Sequence, residues 1–269
     1  RMTLKIPIKI LELNGPLFPV LLNICKKEKI ATLGFESSYM SVNWHQAMCK
    51  TFKNSKIKLV SSTGITENLR VIKTDEEINK LKTAVDITGK AFSFAQAILK
   101  PGKTELQIVA EIERFIRLKG AEKSSFDIMV GSGPNASFPH HLSGSRKIRN
   151  NEGVLIDMGV SYHGYKSDLT RVFFLGKISA SVKHAYHIVL EAQNQAIAKI
   201  KPGAIKSEID AAARNYISQQ GFARFFGHSL GHGVGLEVHE EPRISPKQET
   251  RIEPGMVFTI EPGIYNPNK

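Results

Sequence analysis

Two stretches of this chain repeat each other, and that repeat limits the folds open to it more than any other feature. "KPGKTELQIVAEIERFIRLKG" (100–120) and "KPGAIKSEIDAAARNYISQQG" (201–221) share Lys-Pro-Gly, a helical pattern and a closing Gly at a constant offset of 101 residues. Ile108 falls on Ile209, Ala110 on Ala211, Phe115 on Tyr216 and Ile116 on Ile217. A β-type run follows each, "EGVLIDMG" in the first half and "PGMVFTIEPG" in the second, and each run ends in a carboxylate, Asp157 or Glu261. Matched helix–strand units at a fixed period point to duplication. The expected core is therefore two α/β halves around one site.

Ahead of the repeat, "TDEE" reads as a capping box with Thr74 as N-cap and Glu77 reaching back. Ile78, Leu81, Val85, Phe92, Ala95 and Leu99 then follow 3/4 spacing, with Thr88 the polar exception, until Pro101-Gly102 stops the helix. The domain boundary is placed just before this helix. Residues 1–70 are expected to form a partial α/β N-terminal domain, with strands at Ile30–Phe35 and Ile57–Ser61, and residues 71–269 the main domain. The chain starts at Arg1 and stops at "YNPNK", which reads as a fragment.

The hairpin "VLIDMGVSYHGYKSDLTRVFF" (154–174) carries two carboxylates. A turn at Tyr162-His163 sets Asp157 opposite Asp168, and a turn at His163-Gly164 makes them diagonal neighbours on one face. Either way like charges meet in an apolar setting, which costs several kcal/mol if nothing compensates. A salt bridge to Arg171 or Lys166, a metal ion between them, or protonation of one carboxyl would resolve the conflict.

The second half supplies the deciding residues. "HSLGHGVGLEVHEEP" contains His228, His232 and His239 among Gly227, Gly231, Gly233 and Gly235. The i, i+4 spacing of His228 and His232 looks like a helical zinc motif, but the glycines oppose a helix and no Glu follows His228. An extended strand with close backbone approach to a ligand fits better. Two Asp, one His and one Glu suit Mn²⁺, Co²⁺, Fe²⁺ or Zn²⁺ in a carboxylate-bridged pair. Such a pair activates water and polarises a carbonyl, so the reaction class is hydrolysis.

Composition agrees with a soluble globular protein: 41% hydrophobic and 23% charged residues. No apolar run approaches the ~18 residues that span a bilayer. The basic start is broken by Glu12, Asn14 and Pro16, with no small-residue cleavage site after it. Two cysteines, Cys25 and Cys49, make a disulfide scaffold improbable and favour a cytoplasmic setting. The net charge of +12 comes from dispersed lysines without a nucleic-acid signature.

In this order the motifs "SGPNASFPHH", "IDMGVSYHGYKSDLTRVFFLG", "HSLGHGVGLEVHEEP" and "FTIEPGIY" closely resemble the pita-bread metallopeptidases: methionine aminopeptidase, aminopeptidase P and prolidase. The resemblance covers about residues 70–265. It implies an α/β pita-bread fold and two divalent metal ions, with Mn²⁺ the first choice. Asp157 would hold one ion, Asp168 would bridge both, and His232 with Glu261 would complete the other. It also implies acid–base and hydrogen-bonding roles for His140, His228 and His239, and none for His141, which is read as structural. "SGPNASFPHH", "SDLTR" and "EPGIY" look like the proline-specific branch. The implied activity is cleavage of the Xaa-Pro bond at peptide N-termini by a metal-bridging hydroxide, as in aminopeptidase P; the alternative is an Xaa-Pro dipeptidase. The implied partners are short peptides with proline second and further copies of the chain in a homodimer or larger homo-oligomer, with no nucleic acid or membrane. A non-catalytic binding module and a creatinase-like, metal-free hydrolase of the same fold are the other readings, and the retained ligands oppose both. The family pattern also has a second bridging Glu in a Gly-x-Arg-x-Glu segment beyond "EPGIY", past Lys269. By that reading the native gene product is active, whereas the 269-residue chain binds metal poorly and hydrolyses little.

Overall fold

The structure, a computed structural model, describes residues 10–266. The basic start at residues 1–9 and the last three residues lie outside them. The chain divides into two compact units, the first ending at Thr66 and the second running from Glu67. Among the described residues no helix is long and apolar enough to cross a membrane.

The first unit is a small α/β body. Its helices α1 (Leu17–Lys27) and α2 (Val42–Phe52) accompany the parallel pair β1 (Thr32–Glu36) and β2 (Lys58–Ser62). Cys25, Met48 and Phe52 form its buried centre, and both cysteines are free thiols. A further helix, α3 (Ile65–Val71), leads into the second unit.

The second unit begins at α4 (Asp75–Ile98), where Thr74 and Glu77 form the expected capping box. Its buried face is Leu81, Ala84, Ile87, Thr88, Ala91, Phe92 and Ala95. Val85, expected on that face, is exposed. Small residues at 84, 91 and 95 let α4 approach the sheet closely, so the core stripe runs along them and turns Val85 outward. Thr88 is no exception to the face but a buried donor. Its Oγ1 donates to the Ala84 carbonyl (2.9 Å) and meets Ser167 Oγ at 2.7 Å. Ser167 Oγ in turn accepts the Val160 N–H at 3.0 Å. Thr88→Val removes the short bond of the Ser167 hydroxyl, leaving it only its contacts with the Val160 backbone, and should cost about 1 kcal/mol, measured as a lower midpoint in urea.

The repeat is visible bond for bond. α5 (Glu105–Leu118) and α7 (Lys206–Gln219) start alike: Gly102 and Gly203 donate to the Ile148 and Ile252 carbonyls at 2.9 and 2.8 Å. Ile148 and Ile252 donate back to Lys103 and Ala204, both at 2.8 Å. The Glu105 and Lys206 amides then reach Arg146 and Thr250, both at 3.1 Å. Each half has its own core, Ile108, Ile112 and Ile116 in the first and Ile209, Ala213 and Ile217 in the second. The shift that carries Ile148 onto Ile252 also carries Asp157 onto Glu261.

In the first half, β3 (Lys123–Ser124) and β4 (Met129–Ser132) precede β5 (Glu152–Met158), β6 (Val160–Tyr162), β7 (Tyr165–Lys166) and β8 (Leu169–Leu175). They form two three-stranded antiparallel sheets, β4-β5-β8 and β3-β6-β7. After α6 (Ala180–Ala198) and α7, the second half contributes β9 (Gly231–Gly233), paired antiparallel with β10 (Glu240–Ile244). The run 256–261 was expected as a full strand. It is instead an extended segment with isolated bridges, joined to β9 by Thr259 N–H to His232 O and Glu261 N–H to Leu230 O, both 2.8 Å. Those bonds mirror the pairing of Met129 with Asp157 in β4 and β5.

Candidate metal centre

The hairpin turns at His163-Gly164, both left-handed (φ 48° and 82°), with Tyr162 paired to Tyr165. Left-handed residues at both central positions match the strand twist, as a two-residue hairpin turn requires. This selects the second of the two registers: Asp157 faces Thr170, and Asp168 is its diagonal neighbour. Between β5 and β6 the ladder pinches at Gly159, where a side chain would overlap the Ser167 carbonyl and the Ser125 hydroxyl.

Neither Arg171 nor Lys166 neutralises the carboxylates. Arg171 is exposed and donates to the Thr170 carbonyl at 2.8 Å, and among the described residues no ion pair joins Lys166 to them. The positive partner comes from the other half. His232 Nε2 lies 3.0 Å from Glu261 Oε1 and 3.5 Å from Asp168 Oδ2. The expected quartet of Asp157, Asp168, His232 and Glu261 is thus brought together at the seam of the two halves.

The glycines explain how β9 fits there. A side chain at Gly231 would overlap the Thr259 carbonyl, and one at Gly233 the Glu241 carbonyl. These glycines thus allow a close approach to neighbouring backbone. His232 Nδ1–H donates to the Gly233 carbonyl at 3.0 Å, which turns Nε2 toward the carboxylates. Four residues earlier His228 Nδ1–H donates to the Ser229 carbonyl at 2.8 Å, and its buried Nε2 has no hydrogen-bond partner. Its ring packs against Phe226 and Tyr265.

The electrostatics reflect the crowding. Burial first, and then the Asp168 carboxylate, raise Asp157 from 3.8 to about 7, although Thr170 Oγ1–H donates to its Oδ1 at 2.9 Å. Burial opposes charge on His232, but the bonds to Asp168 and Glu261 outweigh it and raise the imidazole to about 10. Burial likewise opposes charge on Glu261, and the bonds from His232 and Thr259 hold it low. His239 is pushed down by burial and by His232. Burial and the nearby Glu261 raise Tyr265 to about 12.

The donor set fits a divalent cation. Asp168, His232 and His239 each offer a ligand atom, all within 4.8 Å of one another. His239, expected to stabilise the tetrahedral intermediate by hydrogen bonding rather than to serve as a ligand, is therefore within ligand reach, its ring centroid 4.1 Å from that of His232. The carboxylates of Asp157 and Glu261 border the same group, and oxygen donors with imidazole suit borderline-hard dications.

His140 is not drawn into the cluster: it is exposed on the turn after the 3₁₀ segment Gly133–Ser137. His141 is turned inward, its Nε2 at 2.8 Å from the buried Glu105. Three residues with a part in the geometry escaped the sequence reading. Thr170 orients Asp157. Thr259 donates to Glu261 at 2.7 Å and accepts the His232 amide at 3.0 Å. Glu240, next to His239, is held by Lys73 at 2.7 Å and by Arg70. Thr170 lies inside "SDLTR" and Thr259 inside "FTIEPG", so each sat within a quoted motif without a distinguishing signal.

Comparison with known proteins agrees with this architecture. The model of metallopeptidase family M24 matches residues 79–269. An Xaa-Pro dipeptidase of Pyrococcus horikoshii is 40% identical over 240 residues, covering 89% of this chain and 68% of that protein. Among solved structures, an Xaa-Pro dipeptidase from Bacillus anthracis superimposes with a TM-score of 0.91 at 39% identity, over 94% of this chain and 70% of that one. An X-Pro aminopeptidase from Thermotoga maritima gives 0.86 at 36% identity, over 95% and 72%. The fold is the expected α/β pita-bread fold. The carboxylate and imidazole groups that the two halves bring together are what a peptide hydrolase dependent on divalent metal ions needs, and the chain belongs to metallopeptidase family M24.

Proposed function

We propose that this protein hydrolyses Xaa-Pro dipeptides. The observation that carries the hydrolase reading is the convergence of Asp157, Asp168, His232 and Glu261 from both halves of the repeat. The substrate reading is supported by the relatives. Of the three compared, the two with the higher identity are Xaa-Pro dipeptidases and the third is an X-Pro aminopeptidase. This favours the dipeptidase alternative over aminopeptidase P-like cleavage of longer peptides.

In this reading Asp157 would hold one divalent ion, His232 and Glu261 a second, and Asp168 would be shared by both. Mn²⁺ is the preferred ion for so oxygen-rich a set, with Co²⁺, Zn²⁺ and Fe²⁺ also compatible. When bound, such ions supply Lewis acidity and lower the pKa of water toward neutrality. Thr170 and Thr259 keep Asp157 and Glu261 in register by donating to one oxygen of each and leaving the other free. His239, disposed to be neutral, offers an N–H to the oxygen on which negative charge develops. His228 presents its unpartnered Nε2 as an acceptor for a substrate N–H or a proton. By the family resemblance, His140 on its exposed turn would act near the substrate amine and leaving group.

The test is chain length. With Mn²⁺ present, an Xaa-Pro dipeptide should be cleaved at least about tenfold faster, as kcat/KM, than the matching Xaa-Pro-Yaa tripeptide. Faster turnover of the tripeptide would return the protein to the aminopeptidase P reading.

A further inference from the structure

Away from the metal centre, one buried carboxylate gathers an unusual set of donors. Glu105 is the first residue of α5 and is fully buried. Its Oε1 accepts the Ser132 N–H (2.8 Å), the Ser132 hydroxyl (2.7 Å) and Asn135 Nδ2 (3.0 Å). Its Oε2 accepts His141 Nε2–H (2.8 Å) and the Gly144 N–H (3.1 Å). Ser132 ends β4 and Asn135 lies in the 3₁₀ turn, so these are the outgoing leg of the 133–144 loop. His141 and Gly144 belong to the returning leg. One side chain therefore ties both legs together, and Ser143 Oγ adds a bond from the Val130 amide at 2.8 Å. Although burial opposes charge on Glu105, the bonds from His141 and Ser132 hold its pKa below the ordinary value, so the group is the carboxylate.

The repeat shows that the helix start does not itself require this arrangement. The position equivalent to Glu105 in the second half is Lys206, whose Nζ donates to Thr250 Oγ1 at 2.9 Å while the same backbone bonds are kept. A carboxylate at position 105 thus serves the loop rather than the helix. What the loop carries is His140: its neighbour His141 is turned inward onto Glu105 while His140 remains exposed.

We propose that Glu105 and His141 form a clasp that positions His140 for the reaction; the inference rests on the reading of His140 as a group acting on the substrate. His141 and Glu105 are positioning residues, acting through their neighbour. Displacing a reacting group by about 1 Å can cost about a hundredfold in rate, so a loosened loop should register in kcat before it registers in metal binding.

The experiment is a double-mutant cycle on the full-length, Mn²⁺-loaded enzyme, assayed on an Xaa-Pro dipeptide. His141→Ala should lower kcat about tenfold, with bound Mn²⁺ per chain unchanged and faster hydrogen exchange over residues 133–144. His141→Gln, whose amide can still donate to Glu105, should recover most of the rate. Glu105→Gln keeps the volume but turns an NH₂ group toward donors, and should lose more. His140→Ala should cost about a hundredfold, and adding His141→Ala to it should cost no more. Two losses that multiply would overturn the clasp, as would wild-type turnover by His141→Ala. Wild-type turnover by His140→Ala would remove the reading on which the clasp rests. Hydrogen exchange needs no substrate, so it separates the two failures: unchanged exchange in His141→Ala overturns the clasp even if the dipeptide proves to be the wrong substrate.

Discussion

In the full-length protein, Asp168→Asn is expected to abolish divalent-metal binding and to lower dipeptide hydrolysis by about a thousandfold or more. Asp168 is the carboxylate that both halves share: it neighbours Asp157 on the hairpin and lies 3.5 Å from His232 Nε2 on the opposing strand. Asparagine preserves the volume but removes the charge and one of the two oxygens a bridging ligand must offer. A metal's contribution to the barrier is several kcal/mol, and each ~1.4 kcal/mol is a factor of ten in rate. The measurements are Mn²⁺ titration by calorimetry and the rise of melting temperature with added Mn²⁺. A variant that still binds two ions and retains a tenth of the activity would remove Asp168 from its bridging role.

The second large effect is on stability in the presence of a chelator. The Asp157 carboxyl titrates near 7 in the folded protein and at 3.8 in its unperturbed state. Between those values the native state binds more protons than the unfolded chain, so stability must fall as pH rises from about 4 to about 7 and stay lower above. The full shift corresponds to on the order of 4 kcal/mol at most. His232 acts in the same direction at higher pH. Raised to about 10, it contributes stability that is complete below about 6.5 and is lost as pH rises through 10. Carboxylates held low by their hydrogen bonds, such as Glu105 and Glu261, oppose this trend at acid pH. The difference between wild type and Asp157→Asn is therefore the informative quantity. Without metal, the variant should become progressively more stable than wild type between pH 4 and 8. With Mn²⁺ the order reverses, because binding requires the deprotonated ligands and strengthens with pH. A wild-type-to-variant gap in melting temperature that stays constant across pH 4–8 would show that Asp157 is not the strained group.

Much of the candidate site was legible in the sequence, for physical reasons that differ by residue. Asp157 and Asp168 stood out because two carboxylates on one apolar hairpin are costly without a cation. His232 stood out as one of three histidines in a glycine-rich run that is extended rather than helical, with a lone Glu261 following in "VFTIEPG". Thr74 and Glu77 were readable because a capping box is a local bond between neighbours in sequence. Val85 was misread because a 3/4 period marks a face but not its centre. Ala84, Ala91 and Ala95 look weakly hydrophobic in sequence, yet they set where α4 touches the sheet. Glu105 and the pair of Glu240 with Lys73 gave no signal, and His141, read as structural, did not reveal its partner, since in each case the partner lies tens of residues away.

By itself the sequence determined the plan: two related α/β halves, each ending a β-run in a carboxylate, with histidines in a glycine-rich segment of the second. These are properties of periodicity and local spacing, which short-range physics reads directly. Only the tertiary structure decided which turn the hairpin takes, and hence that Asp168 lies diagonal to Asp157 rather than opposite. It alone placed His232 against the carboxylates of both halves and brought His239 within ligand reach. It turned His141 inward onto Glu105 while His140 stayed exposed. Each of those outcomes depends on backbone register between segments far apart in the chain, set by close contacts at Gly159, Gly231 and Gly233 where no side chain would fit.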